Sequence, residues 1–210
     1  MPTALLVGAS GLVGRECLRL LLADPAYERV VVLARREMTG ATGAGGRLVS
    51  RIVDFERLAE HEDVPAVDHV FCALGTTMRQ AGSRERFYRV DHDYPVEVAR
   101  LARAAGARHF ALVSAMGADP KSRIFYNRVK GEAERDVAAL GWPGLTVVRP
   151  SLLLGERAER RLGEEVGKRL AFLAPRKWKP IAARKVAAAM VRAAKEGRPG
   201  VRVIESGEMQ

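Results

Sequence analysis

Short apolar runs alternate with amphipathic stretches of helical period along nearly the whole chain. Thr3–Val7 is apolar and stops at glycines, and from Leu12 to Leu22 apolar residues recur every three or four positions until Asp24-Pro25 breaks the pattern. These spacings predict strand, turn and helix. Arg29–Ala34 (RVVVLA) is a β-branched run suited to a strand buried on both faces, as parallel sheets require, and a glycine-rich loop follows over Thr39–Gly46. Further strands are predicted at Leu48–Val53, Val67–Leu74 (VDHVFCAL) and His109–Ser114 (HFALVS), the amphipathic stretch Ser83–Ala105 joining the last two. Tyr126–Leu140 reads as the next helix, Leu145–Arg149 as the sixth strand, Arg184–Lys195 as a helix and Val201–Ile204 as a final short strand. The alternation implies an α/β protein: a doubly wound parallel sheet flanked by helices.

Composition narrows the class. A length of 210 residues suits one domain over 1–210, with 151–183 as a short substrate or lid insertion. With 48% hydrophobic and 29% charged residues, the chain is not of disordered type. The start MPTALLVGAS lacks the basic opening and longer apolar region of a signal peptide, and no apolar run approaches the ~18 residues of a membrane span. A cytoplasmic protein without a transmembrane segment is expected. Cys17 and Cys72 fall on a buried helix face and a central strand and read as core thiols; neither they nor His61, His69, His92 and His109 show metal-ligand spacing. The net charge of +10 points to anionic partners, and between Glu156 and Lys185 ten Lys or Arg stand against four Glu. Aromatics make up only 6% of the chain and form no stacking platform, so nucleic acid is not the expected partner.

The first turn carries the strongest chemical signal. Gly8-Ala9-Ser10-Gly11-Leu12-Val13-Gly14 lies between the first strand and the first helix, where a dinucleotide pyrophosphate meets free N–H groups at the positive end of the helix dipole. A side chain at Gly8 or Gly11 would bar the turn or the approach of phosphate, and Gly14 lets the helix pack closely on the sheet. NAD-specific proteins usually place an acidic residue at the end of the second strand to bind the adenosine ribose hydroxyls; here the strand ends Leu33-Ala34-Arg35-Arg36. Two guanidiniums suit a 2′-phosphate, so NADPH is expected over NADH, while Glu37 keeps NADH use open. Asp54 and Phe55 fall where an adenine would lie, Asp54 reading equally as a helix cap. Cys72-Ala73-Leu74-Gly75-Thr76-Thr77 ends the fourth strand beside the same crevice, with Gly75 giving the backbone a close approach.

Tyr126 and Lys130 are four apart on a predicted helix and so share a face, where the ammonium favours the phenolate form. Such a phenol protonates a carbonyl oxygen as hydride arrives, or takes the alcohol proton in reverse. The pair opens the helix after the fifth strand, at the expected reactive end of the cofactor.

Taken together, GASGLVG, LARR, VDF, CALGTT, VDHDY, LVSAMGAD, YNRVKGEAE and VVRPSLLLG make the chain resemble an extended or atypical short-chain dehydrogenase/reductase of Rossmann fold, most closely the HIV Tat-interacting-protein-like group. The resemblance runs from about Ala4 to about Ile204. It implies that Gly8, Ser10, Gly11, Leu12, Val13 and Gly14 cradle the pyrophosphate, Arg35 and Arg36 the 2′-phosphate, and Asp54 with Phe55 the adenine. It further implies NADP(H) as cofactor, Tyr126 and Lys130 as the active pair, and contact of Pro150, Ser151 and Leu152 with the nicotinamide. Ser114 corresponds to the family's substrate-polarising serine region, but Ala115 and Met116 follow it where many members place a hydroxyl.

Two functions fit these residues. The first is an NADPH-dependent oxidoreductase acting on a small carbonyl or alcohol, for which the short segment Ser151–Ala183 and the cations around Phe172 and Trp178 suggest a small, acidic ligand. The second is a regulatory module whose NADPH occupancy sets its affinity for a protein partner. A homodimer is compatible with either.

Overall fold

The computed structural model describes residues 1–36, 46–60, 64–154 and 179–210. Glu37, His61, Phe172, Trp178 and most of the basic stretch and of the 151–183 insertion lie outside the described residues. Strand β1 (Thr3–Val7) turns into helix α1 (Leu12–Ala23), followed by β2 (Arg29–Ala34) and β3 (Leu48–Ile52). After a 3-10 turn over Phe55–Glu60 come β4 (His69–Cys72), α2 (Met78–Ala81), α3 (Arg84–Tyr88) and α4 (Tyr94–Ala104). The remainder is β5 (His109–Val113), α5 (Phe125–Ala139), β6 (Gly144–Arg149), the two-residue strands β7 (Leu153–Leu154) and β8 (Ile181–Ala182), α6 (Ala183–Glu196) and β9 (Gly200–Glu205). β7 and β8 pair in parallel and so bring the two ends of the 151–183 segment together.

Seven strands form one parallel sheet in the order β3-β2-β1-β4-β5-β6-β9. The chain runs outward from β1 to one edge and returns to β4 on the other side, so the loops leaving β1 and β4 diverge and open a crevice at the carboxyl edge. Burial on both faces accounts for the unbroken apolar runs. Ala4, Leu6, Val30 and Val32 meet Cys17, Leu21 and Met190 from α1 and α6. Leu5, Val7, Val31 and Leu33 belong to the opposite core layer, with Val98 and Val137 from α4 and α5. Both cysteines are fully buried, and burial pushes each thiol up to about 12, as core thiols rather than reactive ones require.

The amphipathic stretch predicted over 83–105 is helical but not uniform. A π-turn over Arg89–Asp93 joins α3 to α4, with the Tyr94 N–H bonded back to the Arg89 carbonyl. Pro95 explains it: without an N–H it cannot bond the Asp91 carbonyl four residues back, and its ring presses on that carbonyl until the turn widens.

At the opposite end of the sheet, His109 is 3% exposed and neither ring nitrogen has a hydrogen-bond partner among the described residues. Burial, reinforced by His69, pushes its imidazole down from 6.5 to about 4. The unfolded chain thus takes up a proton that the folded chain refuses until lower pH. Stability is retained above pH 6.5 and declines as pH falls toward 4, with a slope of up to about 1.4 kcal/mol per pH unit from this group. The thermal midpoint is expected to fall between about pH 7 and about pH 5, and to fall less in His109→Leu. Equal falls in both proteins would count against this origin.

Candidate functional site

The turn between β1 and α1 is built from backbone constraints. Gly8 has φ +83°, and a Cβ there would lie 2.4 Å from the Ala73 carbonyl oxygen. A Cβ on Gly14 would lie 2.0 Å from the Gly8 carbonyl oxygen, so α1 rests directly on the turn. Gly11 differs: its φ is −77°, and a Cβ would come no nearer than 3.3 Å to the Gly8 oxygen. A side chain at Gly11 would therefore press on the turn by a few tenths of an ångström, far less than one at Gly8 or Gly14. Among the described residues no side chain caps α1, whereas Thr77 caps α2 and Ser83 caps α3, so the first N–H groups of α1 carry no side-chain partner there.

Gly8, Ser10 and Gly11 line a cleft of about 990 Å³ at the carboxyl edge of the sheet. Leu12 is 49% exposed beside it, while Val13 is buried in the core and Gly14 packs inward, so these last two support the turn rather than face a ligand. Arg35 and Arg36 line the cleft, are exposed, and form no ion pair among the described residues. Phe55, 6% exposed, lies at its edge with its ring tilted at 5.5 Å from that of Tyr94. Asp54 instead accepts the Glu56 N–H at 2.9 Å and serves as a turn cap. Ala73, Leu74 and Gly75 line the cleft, whereas Cys72 stays in the core below it.

Several lining residues escaped the sequence reading. Arg15, Leu18, Arg19 and Leu22 share one face of α1 at helical spacing, and Gln80, Arg86 and Tyr94 come from beyond β4. The arginines on α1 carried a legible signal, since cations recur there at i and i+4; the residues beyond β4 depend on how the helices dock.

Tyr126 sits in the first turn of α5, half-buried, its ring tilted at 5.4 Å from that of Phe87. Lys130, one turn on, is 5% exposed, and its Nζ lies 2.7 Å from Asp91 Oδ1. Burial alone would discharge this ammonium, but Asp91 and Tyr126 outweigh it and hold the lysine above its ordinary value. Asp91 Oδ2 accepts the Thr76 N–H at 2.9 Å. A Cβ on Gly75 would meet Asp91 Oδ1 at 3.3 Å and Lys130 Nζ at 3.5 Å, so the missing side chain makes room for the ion pair at the cleft wall.

The other sequence candidates lie elsewhere. The Ser114 hydroxyl donates to Glu134, which is bound in turn by Arg149 at 2.6 and 3.0 Å, and Arg149 reaches Glu205 at 3.2 Å. The Ser114 hydroxyl is thus engaged by the buried Glu134 carboxylate, the first link of a polar chain that reaches the surface at Glu205, rather than aimed into the cleft. Thr77 is spent on its capping bond from the Gln80 N–H at 3.1 Å. The Pro150 carbonyl accepts the Met116 N–H, the Ser151 hydroxyl donates to the Lys179 carbonyl, and Leu152 is 70% exposed. These three residues fasten the chain after β6 and do not line the cleft.

Comparison with known proteins agrees with this architecture. Residues 8–197 match the family of NAD(P)H-binding proteins. Protein HTATIP2 of Rattus norvegicus is 40% identical over 176 residues, covering 82% of this chain and 72% of that protein. Protein fmp52, mitochondrial, of Emericella nidulans is 38% identical over 172 residues, covering 80% and 74% respectively. Among solved structures, MoeE5 in complex with UDP-glucose and NAD superposes with a TM-score of 0.72 at 16% identity, over 99% of this chain and 79% of that one. A short-chain dehydrogenase family protein from Francisella tularensis gives 0.70 at 14%, over 99% and 98%. At these identities the structures bear on the fold alone. The fungal relatives overturn the expected cytoplasmic location, since they are named mitochondrial. No helix among the described residues is long and apolar enough to cross a membrane. With its glycine turn, parallel sheet and close relatives in agreement, the chain belongs to the NAD(P)H-binding family, within the HIV Tat-interacting-protein-like group of atypical short-chain dehydrogenases/reductases.

Proposed function

We propose that the protein is an NADPH-dependent oxidoreductase acting on a small carbonyl compound or alcohol, with Tyr126 as acid/base and Lys130 as its electrostatic partner. The observation that carries this reading is the place of Lys130: its ammonium adjoins Gly75, a wall of the nucleotide cleft, so the lysine's charge stands beside that cleft, one helical turn from Tyr126. The residues present fit a dinucleotide, because a Cβ at Gly8 would meet backbone and the helix behind it has no side-chain cap among the described residues. When bound, NADPH supplies hydride to the carbonyl carbon. The Tyr126 hydroxyl gives its proton to the carbonyl oxygen, and Lys130 stabilises the phenolate left behind. Arg35 and Arg36, exposed on the cleft wall, would grip a 2′-phosphate and turn preference toward NADPH.

NADPH consumption against aldehydes, ketones and quinones tests the reaction. The arginine assignment is tested by calorimetry: Arg35→Ala with Arg36→Ala is expected to weaken NADPH by about 10- to 100-fold, with NADH changed less than about threefold. Equal losses would remove the 2′-phosphate role. A second reading, a regulatory NADPH-binding module with slow turnover, is favoured by the capture of the Ser114 hydroxyl by Glu134. It predicts tight NADPH binding without consumption across the panel.

A further inference from the structure

The environment of Lys130 is unusual for a lysine expected to meet a cofactor. It is enclosed, and its charge is balanced by a carboxylate that is itself buried: the Asp91 side chain is 0% exposed and that of Lys130 is 7% exposed. A buried ammonium is retained only with a close counter-charge and further hydrogen bonds. Asp91 is delivered by the π-turn, a widened segment that alters which side chains face inward and that recurs at functional sites. One oxygen meets Lys130 Nζ at 2.7 Å and the other accepts the Thr76 N–H at 2.9 Å. Gly75 is packed against the same pair, and both Gly75 and Thr76 line the nucleotide cleft. A single carboxylate thus ties two places together: the loop after β4 and the lysine on α5.

We propose that Asp91 is the positioning residue of the catalytic lysine, clamping Lys130 to the Gly75-Thr76 loop so that a nucleotide seated on that loop also fixes the ammonium beside Tyr126. This rests on the reading of Tyr126 and Lys130 as the active pair. The titratable groups facing Lys130 are Asp91 from the π-turn, Tyr126 from α5 and Cys72 from β4. Of these, only Asp91 is joined to it by an ion pair. Removing the carboxylate lets the lysine lose its proton at lower pH.

The test is a double-mutant cycle on the full chain with Asp91→Asn, Lys130→Met and the double variant, reading NADPH affinity by calorimetry. Each single change is expected to weaken NADPH by about 5- to 20-fold, and the double change by no more than the larger single loss, because both break one clamp. With a carbonyl substrate from the panel, Asp91→Asn is expected to lower kcat by about tenfold or more with KM little changed, and to move the alkaline limb of kcat down by about one pH unit. Losses that multiply as independent effects, or a pH profile superimposable on the parent's, overturn the proposal. The affinity cycle needs no turnover, so an absence of carbonyl reduction would sink the oxidoreductase reading without deciding this one. Should the variants fail to fold, amide exchange on the parent chain decides: Thr76 N–H is expected to exchange at least tenfold more slowly than Thr77 N–H and to slow further with NADPH, and exchange at the rate of an open loop overturns the clamp.

Discussion

Tyr126→Phe is expected to lower kcat for NADPH-dependent carbonyl reduction by about 100-fold or more, the range that positioned acid–base groups contribute. That corresponds to about 2.7 kcal/mol of transition-state stabilisation. The substitution removes one hydroxyl and little else. The ring still packs on Phe87, and the half-buried site gains no closed cavity, so the thermal midpoint should stay where it was. Tyr126 does not line the nucleotide cleft, and NADPH affinity should change by less than about threefold. The measurement is steady-state kinetics with the best carbonyl of the panel, beside calorimetry of NADPH. Turnover that survives the loss of the phenol would remove Tyr126 from the reaction while leaving the cofactor site untouched.

Gly14→Ala is expected to damage both the fold and nucleotide binding, whereas Gly11→Ala should damage chiefly binding, with a small loss of stability. The added Cβ at Gly14 would be 2.0 Å from the Gly8 carbonyl oxygen, 2.7 Å from its carbon and 2.9 Å from the Ala9 Cα. All three are backbone atoms, so no side chain can swing aside; α1 must lift from the turn. Lifting α1 also disturbs Val13, Cys17 and Leu21, which pack in one core layer with Met190 of α6. Overpacking of this kind costs about 1 to 3 kcal/mol, with larger values where the backbone cannot relax. At Gly11 the nearest obstacle is at 3.3 Å and φ is negative, so the midpoint should fall by only a few degrees. Its methyl would project toward the phosphate path, and NADPH affinity should drop by about tenfold or more. Thermal melts and calorimetry on the two variants separate these effects; parallel behaviour would show that the two glycines do not differ in this way.

The sequence legible at the level of motifs was less informative at the level of single side chains. Asp54 was ambiguous between adenine contact and cap, and its carboxylate is used as a cap. Ser114 directly follows β5, one residue beyond its observed end, yet its hydroxyl is taken by Glu134, a residue twenty positions away on α5. Nothing in the local pattern marks that partnership. Asp91, though part of the VDHDY motif, carried no role in the sequence pattern, because a periodic pattern cannot announce a π-turn that shifts the register of the following side chains. Pro95 was the available clue, four residues beyond it.

The order of strands and helices, the double-sided burial of the sheet and the glycine turn were all settled by the sequence, because each depends on short-range rules: the period of apolar residues, the conformations open to glycine, and the link between the two. The pairing of Lys130 with Asp91, the diversion of Ser114 to Glu134 and the lining contributed by Gln80, Arg86 and Tyr94 were decided only by the tertiary structure. Charges and hydroxyls take whichever partner packing brings within about 3 Å. That choice depends on how distant helices dock over the sheet, and the linear pattern does not encode it.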